Sequence, residues 1–91
     1  MDKVDLSLVE KQLKKLPSFI VAKLQGWSQR VELYGLAEVR KIPGFHDEPL
    51  KGERQDQRSI RLSRSYRAIY EVNESKEIRI ILVMEVNKHE Y

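Results

Sequence analysis

The sequence predicts an α+β fold, with an N-terminal helical hairpin packed on a curved antiparallel sheet of three to four strands. Three observations carry this. Apolar residues recur every three to four positions as far as about residue 34, and every second position from residue 57 onward. The alternating segments are joined by only a few residues, which permits hairpins and forbids the long crossovers of a parallel sheet. A chain of 91 residues suffices for a single domain over 1–91 and is too short for two.

Taken in order, Lys3 to Leu6 reads as a short leading strand. Leu6, Val9, Leu13 and Leu16 form one stripe of an amphipathic helix, with Lys11, Lys14 and Lys15 toward water. Leu16-Pro17 ends it, because the residue before proline avoids the α region while proline suits the first turn of a new helix. The second helix is expected from about Pro17 to Tyr34, burying Ile20, Leu24, Trp27 and Val31, with Gly35 as a left-handed C-cap. Leu36 to Lys41 reads as a further short turn, and residues 43–56 as a loop rich in Pro, Gly and charge. Strands follow at Gln57–Leu62, Tyr66–Val72 and Lys76–Val86. In the last, Ile78, Ile80, Leu82, Met84 and Val86 are expected to face the helices. The opposite sheet face then presents Arg61, Arg67, Arg79 and Glu85.

Composition excludes several classes of function. At 41% hydrophobic and 34% charged, the chain can bury a core. The absence of cysteine removes disulfides, thiolate metal sites and thiol nucleophiles, and suits a reducing, cytoplasmic setting. Two histidines do not make a His-rich metal site. The longest apolar run, Ile80–Met84, is far short of the ~20 residues of a membrane span. No signal-peptide pattern opens the chain.

The net charge of +3 is unevenly placed. Residues 40–70 hold eight basic and four acidic side chains, and Arg58, Arg61, Arg64 and Arg67 lie in a stretch with no acid. Guanidinium forks match phosphate oxygens in two places at once. Charges on a strand edge also deter aggregation, and the count alone does not separate the two readings. A concave basic face with Lys51 and the tail Lys88, His89 and Tyr91 at its margins fits single-stranded RNA.

An ordered set of segments resembles the RelE/ParE superfamily of bacterial toxins, nearest its RelE, YoeB and HigB-type ribonucleases. The set is His46-Asp47-Glu48-Pro49-Leu50-Lys51-Gly52, Arg58-Ser59-Ile60-Arg61-Leu62, Tyr66-Arg67-Ala68-Ile69-Tyr70 and Asn87-Lys88-His89-Glu90-Tyr91. The turn Leu13-Lys14-Lys15-Leu16-Pro17 is similar too. The resemblance covers nearly the whole chain. It implies the toxin of a type II toxin–antitoxin system, a ribosome-dependent endoribonuclease that cuts mRNA and inhibits translation. The partners it implies are an antitoxin, the ribosome and mRNA; it implies no metal, no cofactor and no membrane. A ParE-like gyrase inhibitor without catalysis, and a degenerate non-toxic binding module, are the other readings.

The resemblance implies catalytic roles for Glu48, Arg67, His89 and Tyr91. Lys51, Arg54, Arg58, Arg61, Arg64 and Lys88 are expected to bind RNA or the ribosome. Cleavage needs a base for the ribose 2′-OH, a positive group for the pentacovalent phosphate and a proton for the 5′-oxygen. Glu48 and Lys51 are both candidates for the base. Arg67 suits the phosphate, and an ion pair with Glu85 across neighbouring strands is its other expected role. His89 titrates near neutrality and suits the proton donor. Glu90 separates His89 from Tyr91, where YoeB-like tails end in adjacent His-Tyr; on a strand that one-residue shift turns a ring to the other face, so only one of the two is expected to reach the phosphate.

Overall fold

In the computed structural model of the chain, which describes residues 1–75 and 77–88, the stretch with the clearest helical spacing becomes the longest helix. It is preceded by β1 (Asp2–Asp5), a 3-10 turn at Ser7–Val9 and the short helix α1 (Glu10–Leu13). The long helix, α2 (Ser18–Tyr34), buries Ile20, Leu24, Trp27 and Val31, the expected stripe. Gly35 ends it at φ 87°, a conformation that glycine adopts without Cβ strain. Its ψ of 148° is extended instead of helical, so the chain breaks sharply into α3 (Leu36–Val39). No helix among the described residues is long and apolar enough to cross a membrane.

The first arm of the expected hairpin is much shorter than its apolar stripe. The Asp5 carboxylate accepts the Ser7 N–H at 2.9 Å. Such a local side-chain bond competes with helix formation, and regular α-helix begins only at Glu10. Val9 is nevertheless buried, and Leu6, Leu13 and Leu16 pack against the core.

Among the described residues the sheet has five strands in the order β1-β5-β4-β3-β2, adding β2 (Glu48–Pro49), β3 (Gln57–Arg61), β4 (Tyr66–Ser75) and β5 (Ile78–Lys88). Successive strands from β2 to β5 are antiparallel, as their short connections require. β1 instead runs parallel to β5, with Asp2 opposite Arg79. Where β1 leaves the sheet edge, a side chain replaces it. The Gln12 amide accepts the Val86 N–H at 3.1 Å and donates to the Val86 carbonyl, as a neighbouring strand would. Gln12→Ala orphans both groups of a half-covered peptide. It is expected to cost about 1–2 kcal/mol, read as a lower urea midpoint with an unchanged m-value.

The expected phase of β5 is reversed over its first half. Ile81 and Val83 face the helices and are fully buried, while Ile78, Ile80 and Leu82 lie on the other face. Ile69 pairs with Glu85 and Tyr70 with Val83, leaving Met84 as the extra residue of a bulge. A bulge shifts the alternation by one, so Val86 returns to the core in its expected orientation. Arg79 is carried to the helix side by the same phase. There its guanidinium grips the Asp2 carboxylate through two 2.8 Å bonds, and Asp2 also accepts the Leu36 N–H at 2.7 Å.

Candidate active site

Strand alternation builds the site. β4 turns Ala68 and Tyr70 toward the helices and Arg67 and Ile69 outward. Glu48 lies opposite Ser59, and Ser59 opposite Ile69, so these three share the outer face. Asn87 lies opposite Arg67. Together they bound a cleft of about 420 Å³. Ser59 and Ile69 form its floor, Pro49 and Leu50 one wall, and Glu48, Lys51, Arg67 and Asn87 its polar rim.

The central contact joins a candidate base to the residue expected to act on the phosphate. Arg67 Nη2 donates to Glu48 Oε1 at 3.1 Å. The Arg67 side chain is 26% exposed and that of Glu48 61%, so the pair stands at the mouth of the cleft. Arg67 Nε is buried and has no acceptor among the described residues. Arg61 lies directly opposite Arg67 on β3, a like-charge juxtaposition that disfavours the empty sheet. The expected Arg67–Glu85 pair does not form. Glu85 instead accepts from Arg54 at 2.8 Å, and this guanidinium holds the Glu85 carboxyl below its ordinary range.

The remaining basic positions separate. Lys51 and Arg54 border the outer face, and Arg61 lies on it. Arg58 does not: it pairs in register with Tyr70 on the helix side and its Nε donates to Asp47 Oδ1 at 2.6 Å. Arg64 is exposed in the turn between β3 and β4, and Lys88 is exposed at the end of β5 opposite Tyr66. Of the tail, His89 and Tyr91 lie outside the described residues. Ser59 and Asn87 enter the cleft without having been singled out as site residues. Alternation with Arg61 is the signal for Ser59, whereas Asn87 reaches the site through its cross-strand pairing with Arg67. Among the described residues, no group of three His, Cys, Asp or Glu side chains is placed to hold a metal ion.

No protein-family model matches the sequence, and no curated protein does. Solved structures do. The YoeB/ParE toxin from Agrobacterium tumefaciens matches with a TM-score of 0.66 at 19% identity, covering 98% of each chain. A mutant of YafQ from E. coli matches at 0.64 and 13% identity, over 97% of this chain and 91% of that one. The toxin–antitoxin complex RelBE2 from Mycobacterium tuberculosis matches at 0.58 and 19% identity, over 98% and 96%. The chain has the RelE toxin fold. Within this RelE fold, the Glu48–Arg67 contact sits over the outer face of the sheet, on the side away from α2.

Proposed function

We propose that the chain is the toxin of a type II toxin–antitoxin system and cleaves mRNA on the ribosome. The observation that carries this reading is the Glu48–Arg67 contact at the mouth of a cleft, with the charge of Arg61 opposite, which has no acidic partner among the described residues. A guanidinium that already holds one oxyanion is pre-organised for another. A phosphate arriving at Arg67 displaces the Glu48 carboxylate and frees it to accept a proton. Glu48 then takes the proton of the ribose 2′-OH. The 2′-oxygen bonds to phosphorus as the bond from phosphorus to the 5′-oxygen breaks, leaving a 2′,3′-cyclic phosphate and a 5′-hydroxyl. Arg67 binds the charge that builds on the phosphate oxygens. His89 supplies the proton for the 5′-oxygen in this reading, and Tyr91 stacks on a base or orients the 2′-OH. Lys51 and Arg61 hold the flanking phosphates, and their contribution weakens as salt rises.

Glu48 suits the base better than Lys51 because it touches the group that receives the phosphate. The ribosome would supply the surroundings that orient the strand, and an antitoxin would cover the basic face. The match to a toxin–antitoxin complex supports such a partner.

Primer extension on an mRNA after induction of the chain tests the proposal, with a gyrase supercoiling assay run beside it. New 5′ ends within translated codons, with supercoiling intact, are expected. Inhibited supercoiling with intact mRNA assigns the chain to gyrase inhibition instead. Neither effect leaves only a binding module on a toxin fold.

A further inference from the structure

Two carboxylates stand side by side before β3, and they do different things. Glu48 is on the outer face; Asp47, one residue earlier, is turned through the sheet edge toward the helices. The Asp47 side chain is 1% exposed. Tyr70 Oη donates to its Oδ2 at 2.5 Å and Arg58 Nε to its Oδ1 at 2.6 Å. Arg58 also reaches the Asp47 carbonyl at 3.4 Å. The Tyr70 ring is fully buried and lies 5.3 Å from that of Trp27, so the carboxylate is fastened to the centre of the core. Burial and Asp47 together push the Tyr70 phenol up to about 12, so it remains a donor at every physiological pH.

The segment before Asp47 needs such a fastening. His46 adopts φ 45° and ψ 51°, the left-handed region that side chains other than glycine seldom enter. That turn swings the chain so that Asp47 points inward and Glu48 outward. β2 itself is only two residues long, too short to hold a register by its ladder alone.

We propose that Asp47 is a positioning residue whose buried carboxylate, held by Tyr70 and Arg58, sets the place of Glu48 at the cleft. This rests on the reading of the cleft as an RNA-cleaving site. The link is physical and short. A shift of Asp47 moves the adjoining peptide, and with it the carboxylate that must meet the 2′-OH. A misplacement of about 1 Å at a reacting group costs on the order of a hundredfold in rate.

Asp47→Ala would strand the Arg58 charge and endanger folding, so Tyr70→Phe is the cleaner variant. It removes one of the two anchors and, besides that, only the long 3.5 Å hydrogen bond that Tyr70 Oη accepts from Arg40 Nε. Ribosome-programmed cleavage is measured for Tyr70→Phe, Glu48→Gln and the double variant, with kcat and KM separated. Amide exchange over residues 46–50 is measured in Tyr70→Phe. Tyr70→Phe is expected to lower kcat about tenfold with KM unchanged, because position is altered and binding is not. On the Glu48→Gln background it is expected to cost nothing further, because Asp47 acts only through Glu48. Exchange over 46–50 is expected to quicken while α2 and β4 stay protected.

An unchanged kcat overturns the proposal, as does a tenfold loss that multiplies with Glu48→Gln. If the unaltered chain cleaves no RNA, or Glu48→Gln cleaves at the full rate, the reading of the cleft fails. The exchange rates then decide the positioning claim alone: quickened exchange at 46–50 upholds it and unchanged exchange overturns it.

Discussion

Under the proposed function, Arg67→Ala is expected to lower the single-turnover rate of mRNA cleavage by about 10²–10³-fold, the usual effect of removing one donor from a developing oxyanion. The side chain stands where cleft, carboxylate and second guanidinium converge. Folding should be unaffected. The lost ion pair joins Arg67 to a mostly exposed glutamate and is worth roughly 0–1 kcal/mol, and its loss also relieves the repulsion with Arg61. Arg67→Lys keeps the charge and loses the two-pronged contact, so it should recover only part of the rate. Quenched-flow cleavage on programmed ribosomes, with circular dichroism on the same samples, checks both points. An Arg67→Ala chain that melts normally and cleaves at the full rate would remove Arg67 from the chemistry.

Asp2→Ala is expected to destabilise the fold by about 2–3 kcal/mol, as three hydrogen bonds end on one nearly buried carboxylate. That figure is held below the cost of a fully buried pair because Arg79 is 37% exposed. The carboxylate ties β1 to β5 and to the start of α3, so its removal loosens the parallel edge of the sheet. The melting temperature should fall by roughly 10–20 °C. The effect should also depend on pH. The Arg79 hydrogen bonds hold the Asp2 carboxyl below its ordinary value of 3.8, against the opposing pull of burial and with help from the Leu36 N–H. A depressed carboxyl stabilises the folded state above its unfolded value and loses that contribution as pH falls through the folded one. Wild-type and Asp2→Ala stabilities should therefore differ by a constant amount at neutral pH and converge in strong acid. Thermal melts across pH 2–7 read this directly, and parallel curves throughout would contradict it.

Much of the architecture is legible without coordinates wherever one periodicity dominates. Leu24, Trp27 and Val31 have polar or small neighbours on their flanks and recur with Ile20 at helical spacing, which marks one face of α2 as the buried one. The Ser63–Ser65 connection, and the equally short one expected at Asn73–Ser75, leave no route except a hairpin, although Asn73–Ser75 proves to extend β4 and pairs with β5. β5 is different. Residues 80–84 are apolar on both faces, so alternation says that a strand exists and not which face is inward. The bulge at Met84 then makes one phase correct for Val86 and wrong for Ile80 and Leu82.

The candidate site divides in the same way. Arg61 and Arg67 alternate with apolar neighbours that must be buried, and that places them together on the outer face from the sequence alone. Arg58 and Arg79 look equivalent to them in composition. Each is consumed by a carboxylate distant in sequence, Asp47 in one case and Asp2 in the other. Nothing local distinguishes Asp47 from Glu48, since both follow a left-handed turn in a charged loop.

By itself, the sequence determined the α+β class, the buried face of α2, the hairpin order of β3, β4 and β5 and the arginines on the outer face, because short-range periodicity and loop length govern these. The tertiary structure alone decided the parallel β1 edge, the phase of β5, which arginines remain free and which of two neighbouring carboxylates enters the cleft. Those outcomes depend on contacts between residues 11 to 77 positions apart, and no local pattern encodes which distant charge a side chain will meet.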